Sequence, residues 1–273
     1  MIFVDTHVHI YDRFELGFFF DAAWKNADMA RQKLAPFHPT LLLLMLTEGF
    51  GMAWFERICR LMESGKNLRG WKIRETGENC SLMLQRKENQ VIYLIAGSQI
   101  QSAEGLEVLA LGTKRRFEDN IAIEHLIDRV NDAGAVAVVP WGFGKWTGRR
   151  GRLLDRLLNG HSAKFHLGDN GGRPEWLGTP RPFQAALEKG LKILPGSDPL
   201  AFDNESGRAG SYGFYCDENI SSEKPAEYIK RRLRDPSFQI VPYGNRTGSS
   251  QFIRSQVRIQ FNKHFGKSNA RHQ

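Results

Sequence analysis

The segment DTHVHIYD contains the residues whose types and spacing best fit metal chemistry. Its two histidines, His7 and His9, follow the apolar residues Ile2 to Val4, which predict a short buried strand. Side chains at i and i+2 of a strand point to the same side, so both imidazoles could bind one metal ion. The flanking carboxylates, Asp5 and Asp12, could orient a ring or complete the site. The alternative is one hydrogen-bonded core histidine and one exposed histidine.

A second candidate lies far downstream, in GLKILPGSDPL. The segment Leu191 to Leu194 predicts a strand, and Asp198 follows it after Pro195-Gly196-Ser197. An exposed turn at a strand end would direct this carboxylate towards a site. The alternative is an Asx-turn residue ahead of Pro199, because Asp-Pro is common in turns.

The two segments carry a family resemblance. An N-terminal strand ending in Asp-Thr-His-Val-His resembles the first-strand signature of metal-dependent hydrolases built on (β/α) barrels, which include the amidohydrolases and the polymerase-and-histidinol-phosphatase (PHP) family. The Gly-Ser-Asp segment resembles the late strand that supplies a metal-binding or catalytic aspartate in both families. The resemblance implies an α/β fold with a single (β/α) barrel of seven or eight strands, in the regular or the distorted PHP form. We expect one domain over residues 1–265 and a flexible tail over residues 266–273.

The chain departs from the full PHP pattern in its ligand set. The second predicted strand ends in Thr-Glu, the third in Gly-Ser-Gln, and Gly-Ser-Asp is followed by Pro-Leu. The sequence therefore resembles a reduced PHP member with one metal at most, or a divergent amidohydrolase. A decayed site without metal is the other alternative.

Several residues compete to be the remaining ligand. His166, in KFHLGDNGG, matches the amidohydrolase habit of placing a histidine at a middle strand end. Asp169 and Asn170 are alternatives in the same segment, and Glu48 is a further oxygen donor at a predicted strand end. Gln99 ranks last, because an amide is a poor ligand for a transition metal.

Two apolar runs predict the central strands, because they are apolar on both faces and too short for helices. They are Leu41 to Leu46 and Ala135 to Val139. Amphipathic helices are predicted over residues 50–64 and 119–133. Short β-like runs with tight turns between residues 71 and 90 predict a small antiparallel insertion.

The chain of 273 residues has 38 Lys+Arg against 30 Asp+Glu, a formal charge of +8 that favours anionic partners. A glycine-rich loop after Val139 carries Lys145, Arg149 and Arg150, and Arg173 lies in the next loop. Cations beside free backbone N–H groups can form an anion site. The alternative is a solvated basic loop.

Cysteine content and hydropathy exclude other classes. Three widely separated cysteines argue against a disulfide framework and against a Cys-x-x-Cys metal site. The longest apolar run is too short to cross a bilayer, and the first residues carry no signal peptide pattern. We expect a cytoplasmic protein without membrane contact, and the sequence makes no prediction of oligomeric state.

The leading hypothesis is a metal-dependent hydrolase. A zinc or manganese ion, with iron as a further option, would bind His7, His9 and Asp198, with His166 as the added ligand. The bound water would attack an anionic small-molecule substrate such as a phosphoester, and Asp198 or another carboxylate would take its proton. The alternative is a binding module on a decayed hydrolase scaffold, with nucleic acid or another acidic molecule as its partner.

Overall fold

The computed structural model describes residues 1–65, 68–160 and 164–269, with side chains up to residue 260. Its helices and strands are β1 (Ile2–Val8), α1 (Leu16–Leu34), β2 (Leu41–Leu46), α2 (Trp54–Glu63), β3 (Lys72–Glu75), β4 (Ser81–Lys87), β5 (Gln90–Ile95), β6 (Gly97–Gln101), β7 (Glu107–Leu111), α3 (Ile123–Asp132), β8 (Val136–Pro140), α4 (Gly148–Asn159), β9 (His166–Asn170), α5 (Arg181–Glu188), β10 (Ile193–Gly196), β11 (Tyr212–Cys216), α6 (Pro225–Arg234), β12 (Val241–Gly244) and α7 (Ser249–Asn269). Helix α7 includes the first part of the predicted tail over residues 266–273, and residues 270–273 of that tail lie outside the described residues.

The strands of the described residues form two open sheets. The larger has seven strands in the order β12-β11-β1-β2-β5-β4-β3, and the smaller has five in the order β10-β9-β8-β7-β6. Strands β1, β2 and β5 are mutually parallel, as are β8, β9 and β10. The other strand pairs of the two sheets are antiparallel. The architecture is therefore mixed α/β.

The predicted single (β/α) barrel is wrong. A parallel barrel needs a crossover, usually a helix, between each strand and the next. Here a single residue, Ala96, separates β5 from β6, and β6 and β7 form an antiparallel hairpin. Residues 71–90 form the antiparallel edge of the larger sheet through β3 and β4, rather than an insertion in a barrel. Apolar patterning indicates a buried strand but not the direction of its neighbour, so strand counting could not exclude these pairings.

The two predicted central strands are confirmed. Strand β2 lies between β1 and β5, and β8 lies between β7 and β9. Leu42 to Leu46 and Val136 to Pro140 are buried throughout. Both strands have neighbours on each side and helices or a second sheet over their faces, which accounts for their unbroken apolar sequences.

Amphipathic helices, among them α3 and α6, pack against the sheets. Helix α3 buries Ile123, Leu126, Ile127 and Val130 at helical spacing, as its sequence predicts. No helix among the described residues combines the length and apolar character needed to cross a membrane.

A buried ionic cluster joins the two sheets on one side. Asp169 of β9 accepts hydrogen bonds from Nε and Nη2 of Arg173, at 2.7 and 2.8 Å, and from the hydroxyl of Tyr212 on β11, at 2.7 Å. Arg173 also donates to the carbonyl groups of Leu177 and Gly178, at 2.9 and 3.0 Å. Since every charged group here is paired, the cluster is a structural connection between the smaller and the larger sheet.

Replacing Arg173 should therefore destabilise the protein strongly. The change Arg173→Ala leaves the buried Asp169 carboxylate with a single neutral donor, and loss of one partner of a buried pair costs about 3–5 kcal/mol. Urea unfolding should show this loss, whereas Arg181→Ala, at an exposed position of α5, should stay within about 0.5 kcal/mol of wild type. Equal stabilities for the two variants would contradict a structural role for the cluster.

Candidate metal centre

Strand β1 delivers both histidines of the candidate site. His7 and His9 are buried, and their Nε2 atoms lie 3.1 Å apart. The alternation of side chains along the strand, which continues past its last assigned residue, places both rings on one side as predicted. Two buried imidazole nitrogens this close need a shared cation or proton between them, because two lone pairs facing each other repel.

The turn after β10 brings the third donor. The Oδ1 atom of Asp198 lies 3.5 Å from Nε2 of His7 and 3.4 Å from Nε2 of His9. The backbone N–H of Asp198 donates to the His7 carbonyl at 2.8 Å, so β1 and the turn are locked together. Asp198 has a φ of 47°, a left-handed conformation that is costly for a residue other than glycine. This strained turn directs the carboxylate towards the two imidazoles.

The three donor atoms have the separations of ligands around one ion. Zinc–nitrogen and zinc–oxygen bonds of about 2.0–2.1 Å in a tetrahedral site place neighbouring ligand atoms about 3.3 Å apart. The measured separations among His7, His9 and Asp198 are 3.1, 3.4 and 3.5 Å. These residues form the group of potential metal ligands found among the described residues. Three protein ligands leave a fourth tetrahedral position for water or substrate.

The protonation states of the donors suit a cation. Burial and the neighbouring His7 lower the pKa of His9 to about 4, so at neutral pH the His9 ring is uncharged and offers a lone pair. Burial alone would raise the pKa of Asp198. The imidazoles of His7 and His9 together with Arg208 and Lys145 outweigh burial and hold that pKa below its ordinary value. Asp198 is therefore an anionic ligand.

Asn170, at the end of β9, orients the Asp198 carboxylate. Its side-chain amide donates to Oδ2 of Asp198, while its Oδ1 accepts the Gly172 backbone N–H at 2.6 Å. The hydrogen bond occupies the carboxylate oxygen that faces away from the histidines and leaves Oδ1 for a metal. Such outer partners fix ligand geometry in metal sites.

Asp5 connects the two motifs that supply the donors. Its buried carboxylate accepts hydrogen bonds from the Ser197 backbone at 2.8 Å, the Ser197 hydroxyl at 2.5 Å, the Gly210 backbone at 2.8 Å and the His7 backbone at 3.2 Å. Burial raises the pKa of Asp5 to about 6 and these hydrogen bonds limit the rise, so the group is ionised at neutral pH. Gly196 lies against β1 so closely that a Cβ there would come within 2.4 Å of His7 Cβ. Asp5 is thus a positioning residue rather than a ligand.

The cluster opens into a cleft of about 800 Å³. Among the described residues that line it, the cations are Lys145, Arg150 and Arg208, and the carboxylates are Glu107 and Asp198. A divalent ion bound by the cluster would leave the cleft with a clear excess of positive charge. The aromatic residues of its wall are Tyr11, Trp141, Phe143, Phe202 and Phe252.

Comparisons with known proteins give a fold neighbour and no family. The crystal structure of PsfC from Pseudomonas syringae PB-5123 superposes with a TM-score of 0.54 over 94% of this chain and 97% of that chain, at 14% identity. No protein-family model matches the sequence. No curated protein matches it either. The predicted membership of the barrel hydrolases, whether as a PHP protein or as an amidohydrolase, is therefore wrong: the fold has two open sheets and is similar to that of PsfC.

The structure does not bring His166 to the cluster. This residue begins β9, whereas Asn170, at the other end of the strand, reaches the cleft. The Nδ1 atom of His166 accepts the Lys192 backbone N–H at 3.1 Å, and Nε2 lies 3.1 Å from the Leu233 carbonyl oxygen. The sequence predicted a strand over Lys164 to Leu167, but the strand continues to Asn170, three residues further. Asp169 points away from the cleft and pairs with Arg173. Asp169 is therefore not placed for the predicted ligand role, and Arg173 is not placed for the predicted substrate-binding role.

Two other acidic candidates also have structural partners. Glu48 accepts the Phe55 N–H at the start of α2 at 2.6 Å and pairs with Arg116 at 2.5 Å. Asp12 is largely exposed and pairs with Arg57 at 2.5 Å. Neither belongs to the group formed by the histidines and Asp198.

Part of the predicted basic loop lines the cleft, and part of it is exposed to solvent. Lys145 lines the cleft and forms an ion pair with Glu107. Arg150 also lines it, donating to the carbonyl groups of Gly105 and Gly144 at 3.4 and 3.0 Å. Arg149 is exposed on α4 and does not line the cleft.

Sequence reasoning missed some residues of the cleft. Tyr11 lies beside His9 with ring centroids 5.8 Å apart, and its spacing from the histidines continued the same alternation. Gln99, ranked last as a ligand, places Oε1 3.1 Å from Nε2 of His7. Glu107 faces Lys145 from β7, and no local sequence signal pairs residues so far apart.

The site predicts stoichiometric metal binding. Titration calorimetry with zinc should show one equivalent bound to the chelator-treated protein, because three donors have ligand spacing. His9→Ala and Asp198→Asn should each weaken binding by about 100-fold or more, since the first removes an imidazole ligand and the second replaces a carboxylate by a poorly coordinating amide. His125→Ala, which removes an exposed imidazole on α3, is the control and should bind as wild type. Equal zinc affinity in the wild type and all three variants would show that zinc does not bind at this site.

Proposed function

We propose that this protein is a metal-dependent hydrolase that acts on an anionic small-molecule substrate, with a phosphoester as the first substrate class to test. The observation that carries the proposal is the triangle of donor atoms from His7, His9 and Asp198, which opens into a cationic cleft. The proposal rests on this geometry and its chemistry. Zinc and manganese are the metals that best suit two imidazoles and one carboxylate, with iron as a further option.

A bound divalent ion would acidify water and polarise a substrate oxygen. The protein's own groups have complementary roles. His9 offers a neutral imidazole nitrogen, His7 offers a second imidazole nitrogen, and Asp198 offers a carboxylate oxygen that Asn170 keeps oriented. Asp198 is also the proposed proton acceptor, and Glu107 is the second carboxylate of the cleft.

Other groups of the cleft favour an anionic substrate. Lys145 reaches the cleft from the loop after β8, and Arg150 from the first turn of α4. Burial and the nearby carboxylates raise the pKa of the Tyr11 phenol above its ordinary value. Tyr11 therefore keeps its proton at neutral pH and can donate a hydrogen bond to a substrate oxygen.

The test is hydrolysis of p-nitrophenyl phosphate by chelator-treated protein with and without added zinc or manganese. Activity should appear with the metal and be lost in His9→Ala. Lys145→Met should lower kcat/KM about tenfold, because a partly exposed charge-assisted hydrogen bond contributes about 1.5 kcal/mol. Arg149→Met is the matched control from outside the cleft and should retain wild-type kcat/KM.

The neutral ester p-nitrophenyl acetate separates binding of the anion from the chemical step. Lys145→Met should hydrolyse it as wild type does, since no anion needs the cation. Metal binding without hydrolysis of any phosphoester, together with salt-dependent binding of RNA or DNA, would favour the binding-module alternative.

A further inference from the structure

A second pocket, of about 370 Å³, lies between β10, the end of α5 and the segment from Pro236 to Pro242. No residue that lines it also lines the metal cleft. Its apolar wall includes Leu187, Leu191, Ile193, Phe238, Ile240 and Pro242. Concave sites of this size with apolar walls and few polar groups are typical of small-molecule binding.

A single cation, Lys192, lines this pocket. Lys192 is 7% exposed, and burial lowers the pKa of its side chain below the ordinary value. Its backbone N–H donates to His166, but in the described part of the chain its ammonium group has neither a hydrogen bond nor an ion pair. The Nζ atom of Lys192 reaches solvent, so it can pair with an anion that enters the pocket.

The nearby carboxylates are already paired. Asp235 accepts from Arg232 at 2.6 Å and from the backbone and hydroxyl of Ser237 at 2.9 and 2.7 Å. Asp169, which also lines the pocket, accepts two hydrogen bonds from Arg173 and one from Tyr212. Asp235 lies near enough to favour the charged ammonium of Lys192, but neither carboxylate forms an ion pair with it in the described part of the chain.

We propose that this pocket binds a small monocarboxylate with an apolar body, such as a medium-chain fatty acid, and that Lys192 pairs with the carboxylate. The apolar walls fit an alkyl or aryl body, and the ammonium group fits one negative charge. A dianion such as a phosphomonoester would leave a second charge buried without a partner, which disfavours it here. The pocket is separate from the metal cleft, so this inference goes beyond the proposed hydrolysis.

The experiment is titration calorimetry of the 273-residue protein with octanoate and with octanamide, its neutral analogue of nearly equal size. Octanoate should bind with one-to-one stoichiometry and about tenfold or more tighter than octanamide, as one sheltered charge-assisted hydrogen bond allows. Lys192→Met should abolish this preference and leave octanamide binding unchanged, and Lys192→Arg should restore it. Lys189→Met, at an exposed lysine on the same connection, is the matched control and should bind as wild type.

Thermal unfolding with and without octanoate supplies a second readout. Octanoate should raise the melting temperature of the wild type more than that of Lys192→Met, because the ligand stabilises the folded state in proportion to its affinity. Equal shifts in the two proteins would overturn the proposal. Equal affinities for octanoate and octanamide in the wild type, or no octanoate binding at millimolar concentration, would overturn it as well.

Discussion

The buried carboxylate of Asp5 is the constraint on which the candidate centre depends. It lies on β1 of the larger sheet and accepts hydrogen bonds from Ser197, which follows β10 of the smaller sheet, and from Gly210. Open sheets lack the continuous ladder of a closed barrel, so their relative position must come from contacts between them. Asp5 provides one such contact at the point where His7 and Asp198 approach each other. Its loss would leave buried donors without partners on both sides.

Other short contacts between β1 and the segment from Pro195 to Asp198 also hold His7 and Asp198 close together. Thr6 donates to the Pro195 carbonyl at 2.9 Å, and Asp198 donates its backbone N–H to the His7 carbonyl. The absence of a side chain at Gly196 permits this approach. The strained backbone of Asp198 is sustained by these surroundings, and strain of this kind concentrates at functional positions. These contacts thus bring donor atoms from two segments that are distant in the sequence into one group.

Strand alternation and a turn after a strand pointed to His7, His9 and Asp198, and the resemblance to barrel hydrolases, which the fold contradicts, supported the choice. The three residues lie together in the structure. His166 does not reach the cluster as predicted, because β9 extends three residues beyond its predicted end. The residue at the end of the strand, here Asn170, is the one that reaches the cleft. The barrel prediction was wrong because a buried apolar strand has the same sequence pattern whether its neighbours are parallel or antiparallel. Pairs such as Lys145 and Glu107 depend on tertiary placement and leave no local pattern.

The most direct test of the account is a crystal structure of the zinc-soaked protein with diffraction data collected at the zinc absorption edge. We expect one strong anomalous peak in the cleft, about 2.0–2.2 Å from Nε2 of His7, Nε2 of His9 and Oδ1 of Asp198. A cleft without a peak, or a peak bound by other residues while these three keep their present contacts, would contradict the proposed metal centre.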